Sequence, residues 1–264
     1  KALEHIEHSL VRNSHNLKAR ALKGLILHEL GRRSEMKAWL GENLQVDAFD
    51  YTSRLLDGQV ETAISMMGSR TSSYIECAID LAEAGFYERA VSVLDLCPKG
   101  SPMREYYRAM YASHFDAELA RTALQAAADA SPLYCFPNRL EDIAVLRFAI
   151  RENPVDAKAP YYLGCLFYDR YQYNEAQRLW EMSVQLDPGY PTAWRNLSLV
   201  YYNKRKQPER ALECLEKAYA LDPSDARILL ELDQLYHRTN RTPAERLAFL
   251  ESHLETVLKR DDLY

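Results

Sequence analysis

Apolar residues recur every three to four positions along most of the chain, and Gly, Pro and Asp interrupt the pattern at short intervals. Leu3, Ile6 and Leu10 predict a helix over residues 1–13. Leu22, Gly24 and Leu27 mark a second, Gly31 supplies a turn, and Glu35 with Met36 opens a third through Leu40 and Leu44. Two short helices follow over 50–57 and 59–67, split at Asp57-Gly58. A hairpin from Ile75 to Leu94 turns at Gly85. Beyond the breaker Cys97-Pro98-Lys99-Gly100-Ser101-Pro102, the stretches 103–114 and 116–130 predict another antiparallel pair. Six alanines between 117 and 128 predict that the second helix of that pair is sandwiched between neighbours. Phe136-Pro137-Asn138 then opens a helix with Asn138 as its N-cap and Ile143, Leu146 and Ile150 as its core stripe.

From Pro154 the pattern becomes a repeat. Leu163-Gly164, Ala176, Trp180 and Leu186-Asp187-Pro188 are answered by Leu197-Ser198, Ala211, Leu215 and Leu221-Asp222-Pro223. The two cycles span 34 and 35 residues, the extra one falling in Lys204–Gln207. Small Gly164 faces a position where a large residue, Trp180, is expected from the partner helix. Each Asp-Pro ends a helix, because Pro lacks an N–H and biases the preceding residue out of the helical region. A third cycle holds Leu229, Leu232, Asp233 and Tyr236, and Pro243 starts its second helix through Leu247, Leu250 and Leu254.

Such a period is the mark of helix–turn–helix repeats. With Trp194-x2-Leu197-Ser198-x2-Tyr201, the chain resembles the tetratricopeptide (TPR) superfamily, closely over 154–223 and more loosely before and after. The resemblance implies an all-α, right-handed α-solenoid of stacked antiparallel helix pairs. One continuous array over 1–264 is expected: irregular TPR-like hairpins over 1–152, then regular repeats within 153–258 (about 157–190, 191–225 and 226–258), and the start of a further helix at 259–264. A narrower likeness rests on Pro160-Tyr-Tyr-Leu-Gly164, Glu231-Leu-Asp-Gln-Leu-Tyr236, Pro243-Ala-Glu-Arg-Leu247 and Lys259-Arg-Asp-Asp-Leu-Tyr264. These segments are similar to the TPR tail of large bacterial proteins whose N-terminal β-rich domain resembles sugar mutarotases. The start at Lys1 without Met, and the ending where a helix could begin, agree with a piece of such a protein.

Members of the superfamily resemble one another in lining a groove with the first helix of each repeat. Counted from Ala157, Pro191 and Ala226, the groove positions include Lys158, Tyr161, Tyr168, Arg195, Tyr202, Arg227, His237 and Arg238. Tyrosine and arginine together are the side chains enriched at recognition hot spots. They could grip an extended peptide, a helix or an acidic terminus; tyrosines packing between helices is the competing reading. The carboxylate clamp of chaperone-binding TPR domains is incomplete, because Tyr161, Cys165 and Glu231 replace three of its members.

Composition narrows the function further. A net charge of −5 argues against nucleic acid as a partner. No apolar run reaches the length needed to span a bilayer. Five cysteines without a close pair suggest neither a disulfide framework nor a zinc site, and His5 and His8 find no second ligand cluster. No cofactor motif, Gly-rich phosphate loop or nucleophile elbow is present. The expectation is a non-enzymatic scaffold whose partner is a protein, a peptide or another domain of the same chain, with no metal and no cofactor. The alternative is an accessory region of a carbohydrate-active bacterial protein, packing on or completing a β-rich sugar-binding domain.

Overall fold

The computed structural model describes residues 1–260, and among them every regular element is helical. The helix expected at 259–264 lies outside the described residues, apart from Lys259 and Arg260, which are not helical. Packing divides the chain into two units, Lys1–Ser131 and a second from Pro132 onward.

The first unit holds α1 (Ala2–Arg12), α2 (Leu17–Glu29), α3 (Arg33–Val46), α4 (Tyr51–Leu56), α5 (Val60–Met67), α6 (Thr71–Glu83), α7 (Tyr87–Leu96), α8 (Pro102–Ala112) and α9 (Ala117–Asp129). Consecutive helices pair: α2 with α3, α6 with α7, α8 with α9. Side-chain caps fix several starts. Asn16, Asp50, Ser101 and Asp116 each accept a backbone N–H from the first turn of their helix. Buried Leu27, Met36 and Leu40 join α2 to α3, with Trp39 and Leu56 packed against them. Beside this small apolar cluster runs a polar relay. Arg20 Nε donates to Asn43 Oδ1 (2.9 Å), Asn43 Nδ2 donates to Ser53 Oγ (3.0 Å), and Ser53 Oγ donates to Asp50 Oδ2 (2.5 Å). Arg20, Asn43 and Ser53 are buried, so each link satisfies a group that would be costly to leave unpaired.

Helix α9 differs from the expectation of a sandwiched helix. Ala120, Ala123, Leu124 and Ala127 are buried, whereas Arg121, Thr122, Gln125 and Ala126 face solvent. The alanines permit close approach to α8 on one side only.

The second unit holds α10 (Leu140–Glu152), α11 (Lys158–Asp169), α12 (Tyr173–Leu186), α13 (Pro191–Val200), α14 (Pro208–Leu221), α15 (Ala226–Arg238), α16 (Pro243–Glu251) and α17 (Leu254–Val257). Asn138 is not the N-cap of α10. The helix begins two residues later, because the Asp142 carboxylate reaches back to accept from the backbone N–H groups of Asn138 and Arg139 at 2.8 and 2.9 Å. From α12 to α17 one continuous apolar cluster runs through Trp180, Leu197, Leu215, Leu229 and Val257. The approach at Gly164 is as close as its small size allows: a Cβ there would lie 2.5 Å from Trp180 Nε1. That indole is buried and donates to the Tyr161 carbonyl at 3.1 Å.

Two local departures follow from side-chain and backbone chemistry. The extra residue of the second cycle is absorbed in a π-turn, Tyr201–Arg205, closed by left-handed Lys206 (φ +57°) and by Gln207 N donating to Tyr201 O. The helix opened by Pro243 stops at Glu251 instead of running on through Leu254. Ser252 Oγ donates to the Phe249 carbonyl at 2.7 Å, and His253 Nδ1 lies 2.8 Å from the same oxygen. These groups compete with the backbone donors that would continue the helix.

Candidate functional site

Within the second unit, α11, α13 and α15 are the first helices of successive pairs; α11 holds Lys158, Tyr161 and Tyr168, α13 holds Arg195, the turn after it Tyr202, and α15 holds Arg227, His237 and Arg238. A repeated hydrogen bond ties the end of α13 to α12 and ties α15 to α14. Tyr201 Oη donates to Glu181 Oε1 at 2.7 Å, and Tyr236 Oη donates to Glu216 Oε1 at 2.9 Å. Residues 35 apart in sequence thus make the same bond. Burial, then the neighbouring glutamate, pushes the Tyr201 and Tyr236 hydroxyls up to about 12, so both stay donors. With the paired helices, the 34- and 35-residue cycles and the Gly164–Trp180 fit, this register decides the architecture. The fold is of the TPR type.

The eight residues fall into three environments. At one end, Tyr161 is half-buried, its ring 4.8 Å from Tyr190 and 5.5 Å from Tyr162. Burial foremost holds its hydroxyl far above the usual phenol range. Tyr168 packs on Trp180 (5.4 Å) and Tyr173 (5.1 Å), so it also belongs partly to the wall of the repeat. Lys158 is half-buried at the start of α11.

The middle is an ion cluster. Arg195 on α13 grips Glu231 on α15 with Nε at 2.7 Å and with Nη2, and Arg227 Nε donates to the same carboxylate at 3.2 Å. The Arg195 side chain is 11% exposed and Glu231 21%, whereas Arg227 is 62% exposed. Beneath them Asn196 Nδ2 is 3.5 Å from Cys165 Sγ. Burial raises that thiol to about 11, so it remains a thiol at neutral pH. Glu231 is therefore not a bare acid facing the groove. It is the anchor of an internal fork, and Arg195 is committed to it.

At the far end the surface opens. Arg238 is exposed, and its guanidinium carbon sits 5.3 Å from the centre of the Tyr202 ring. A hollow of about 80 Å³ adjoins them, lined in part by Asn203, Gln234, Leu199 and Glu231. His237 is exposed on the same last turn of α15. Both cross-helix contacts, Arg195 to Glu231 and Tyr202 to Arg238, join residues 36 apart. One stagger between α13 and α15 produces both.

The first unit contributes a feature the repeat count did not reach. Helix α4 has only six residues, while α2 and α6 on either side have thirteen each. Two hollows of about 430 and 210 Å³ open between them, sharing Lys18, Ala21, Thr52 and Asp80 in their walls. The visible signal was the short helix between Asp50 and Asp57-Gly58.

No family model matches the chain. Solved structures similar to it include MamA residues 41 to the end from Desulfovibrio magneticus RS-1, at 20% identity over 74% of this chain and 99% of that one, with a TM-score of 0.41. YrrB, described as a TPR protein with an unusual peptide-binding site, aligns at 16% identity over 88% of this chain and all of that one, TM-score 0.34. The APC/C hetero-tetramer Cut9–Hcn1 aligns at 14% identity over 99% of this chain and 44% of that one, TM-score 0.41. The helix pairing described above, rather than these distant alignments, carries the fold.

Proposed function

We propose that the chain is a non-catalytic scaffold that holds a protein or peptide partner on the face formed by α11, α13 and α15. The observation that carries this reading is the Tyr202–Arg238 pair beside the 80 Å³ hollow. Among the described residues no ion pair ties down Arg238, in contrast to Arg195, and its charge is presented on an aromatic ring at a hollow that Asn203, Gln234 and the Arg-bound Glu231 also line. An acidic or polar side chain of a partner fits that setting, since a planar guanidinium and two amides offer several directed donors. Arg227, His237, Lys158 and Tyr168 extend the contact surface along the same helices.

Substituting Arg195 would not test this reading, because a carboxylate there would face Glu231 and loosen the unit itself. The informative variant is Tyr202→Ala with Arg238→Glu, compared with Arg178→Glu on the exposed side of α12. Partners captured by the wild-type chain and identified by mass spectrometry should be retained by Arg178→Glu. They should be lost from the double variant, with affinity for an identified partner falling roughly thirtyfold or more, as for a hot-spot pair. Equal capture by both variants with unchanged helicity would overturn the reading.

A further inference from the structure

The cleft of the first unit follows from helix lengths. Because α4 stops after six residues, α2 and α6 face one another with a gap where a longer helix would pack. The floor is apolar, with Ala19, Leu22 and Leu25 of α2 among the lining residues. The lip is apolar as well: Phe49 is 60% exposed and Leu17 44% exposed, and both line the smaller hollow. Exposed large apolar side chains at the rim of a concavity are a mark of a protein-docking surface.

The walls are acidic. Asp47, Asp50, Glu76 and Asp80 line the smaller hollow, and Asp80 and Glu83 the larger. The basic residue among those lining the two hollows is Lys18, whose Nζ is 2.8 Å from Asp80 Oδ1 and 3.8 Å from Glu83 Oε2. Its side chain is 70% exposed, so the bridge across the gap is wet and weak. Asp50 records the crowding. Burial, with added repulsion from Asp47 and Asp80, holds its carboxyl above the ordinary aspartate value despite two hydrogen bonds from Ser53. The two units carry nearly equal net charge, so the acidity of this cleft is a matter of placement.

We propose that the cleft between α2, α4 and α6 docks a basic amphipathic segment of a partner chain. Its apolar side chains cover Leu17 and Phe49 and enter the hollow, while its Lys or Arg side chains take up Asp80 and Glu83 in place of Lys18. This site is independent of the Tyr202–Arg238 face and takes the opposite charge.

The test uses the full chain and a labelled helical Leu/Lys peptide, with its Leu/Glu counterpart and a scrambled Leu/Lys sequence as probes, read by fluorescence anisotropy. Saturable binding of the amphipathic Leu/Lys peptide alone is expected. Asp80→Asn with Glu83→Gln should weaken it roughly tenfold or more, since close interfacial charge pairs contribute on that scale. Glu61→Gln with Glu118→Gln, an equal charge change at exposed sites elsewhere in the unit, should change it less than about twofold, as expected of distant screened charges. Tyr202→Ala with Arg238→Glu should leave it unchanged. Equal weakening by the two charge-matched pairs, equal binding of the scrambled peptide, or no saturable binding would overturn the proposal.

Discussion

Two sets of three helices, α2–α4 of the first unit and α13–α15 of the second, are held together by different materials. In the second, a continuous apolar cluster and a tightly held charge pair lock successive first helices in register. In the first, α2, α3 and α4 are joined by a three-residue apolar cluster and a relay of polar groups, and the charge that spans α2 and α6 is exposed. The difference shows that regular packing closes surface off, while an irregular helix length leaves it open. The surface proposed for recognition at the second unit lies at one end of α13 and α15, and that proposed at the first is a cleft.

The contrast in charge pairs is the easiest to break. Glu231→Ala leaves Arg195 largely buried without its carboxylate, and should cost about 3 kcal/mol in chemical denaturation. Lys18→Ala removes an exposed bridge and should cost less than about 1 kcal/mol. Similar losses from the two would erase the distinction between a locked and an open set of helices.

Helix contact gives a second, smaller contrast. A Cβ at Gly164 meets the pinned Trp180 ring, so Gly164→Ala should lose about 2 kcal/mol even after the gain in helix propensity. At Gly24 the new methyl meets the end of the flexible Leu40 side chain at 2.8 Å. Gly24→Ala should stay within about 1 kcal/mol of wild type in the same melts, because overpacking and propensity offset one another. A larger loss at Gly24 would mean that the first unit is as rigidly packed as the second.

The smallest effect is in the pH profile. Asp50 titrates above the ordinary 3.8 when folded, so between that value and its raised one the folded state binds more protons. Its contribution to stability therefore falls as pH rises through this window. Glu245 in the second unit has the opposite sign: Thr242 bonds to its carboxylate and lowers its pKa from 4.5. That contribution is present above 4.5 and is lost as pH falls. Asp50→Asn should keep the helix cap and flatten the first slope, while Glu245→Gln should flatten the second, both read from melting temperature against pH. A wild-type slope that survives Asp50→Asn would assign it to another group.

Helix order was legible because Gly, Pro and Asp punctuate the chain where the backbone needs them, as at Gly31, Gly85 and Asp187-Pro188. The Gly164–Trp180 fit was readable too, from a small and a large residue at fixed offsets. The premature end of α16 was not, because it depends on where Ser252 and His253 point. Among the candidate residues, Tyr202 and Arg238, which touch in the structure, were both reached by counting positions, but the commitment of Arg195 to Glu231 was not. It joins position 5 of one repeat to position 6 of the next, a stagger that only the packed helices reveal. The first-unit cleft escaped for another reason: without a regular repeat there was no frame in which to count.

The π-turn at Tyr201–Arg205 separates two quantities that are usually tied together, the number of residues in a repeat and the phase of its helices. A surplus residue inside a helix would rotate everything after it by about 100° and turn the Tyr236–Glu216 bond away. Placed at the end of α13 and closed by left-handed Lys206, it rotates nothing that follows. A junction of this kind lets successive cycles differ in length while the face presented by each helix stays where it was.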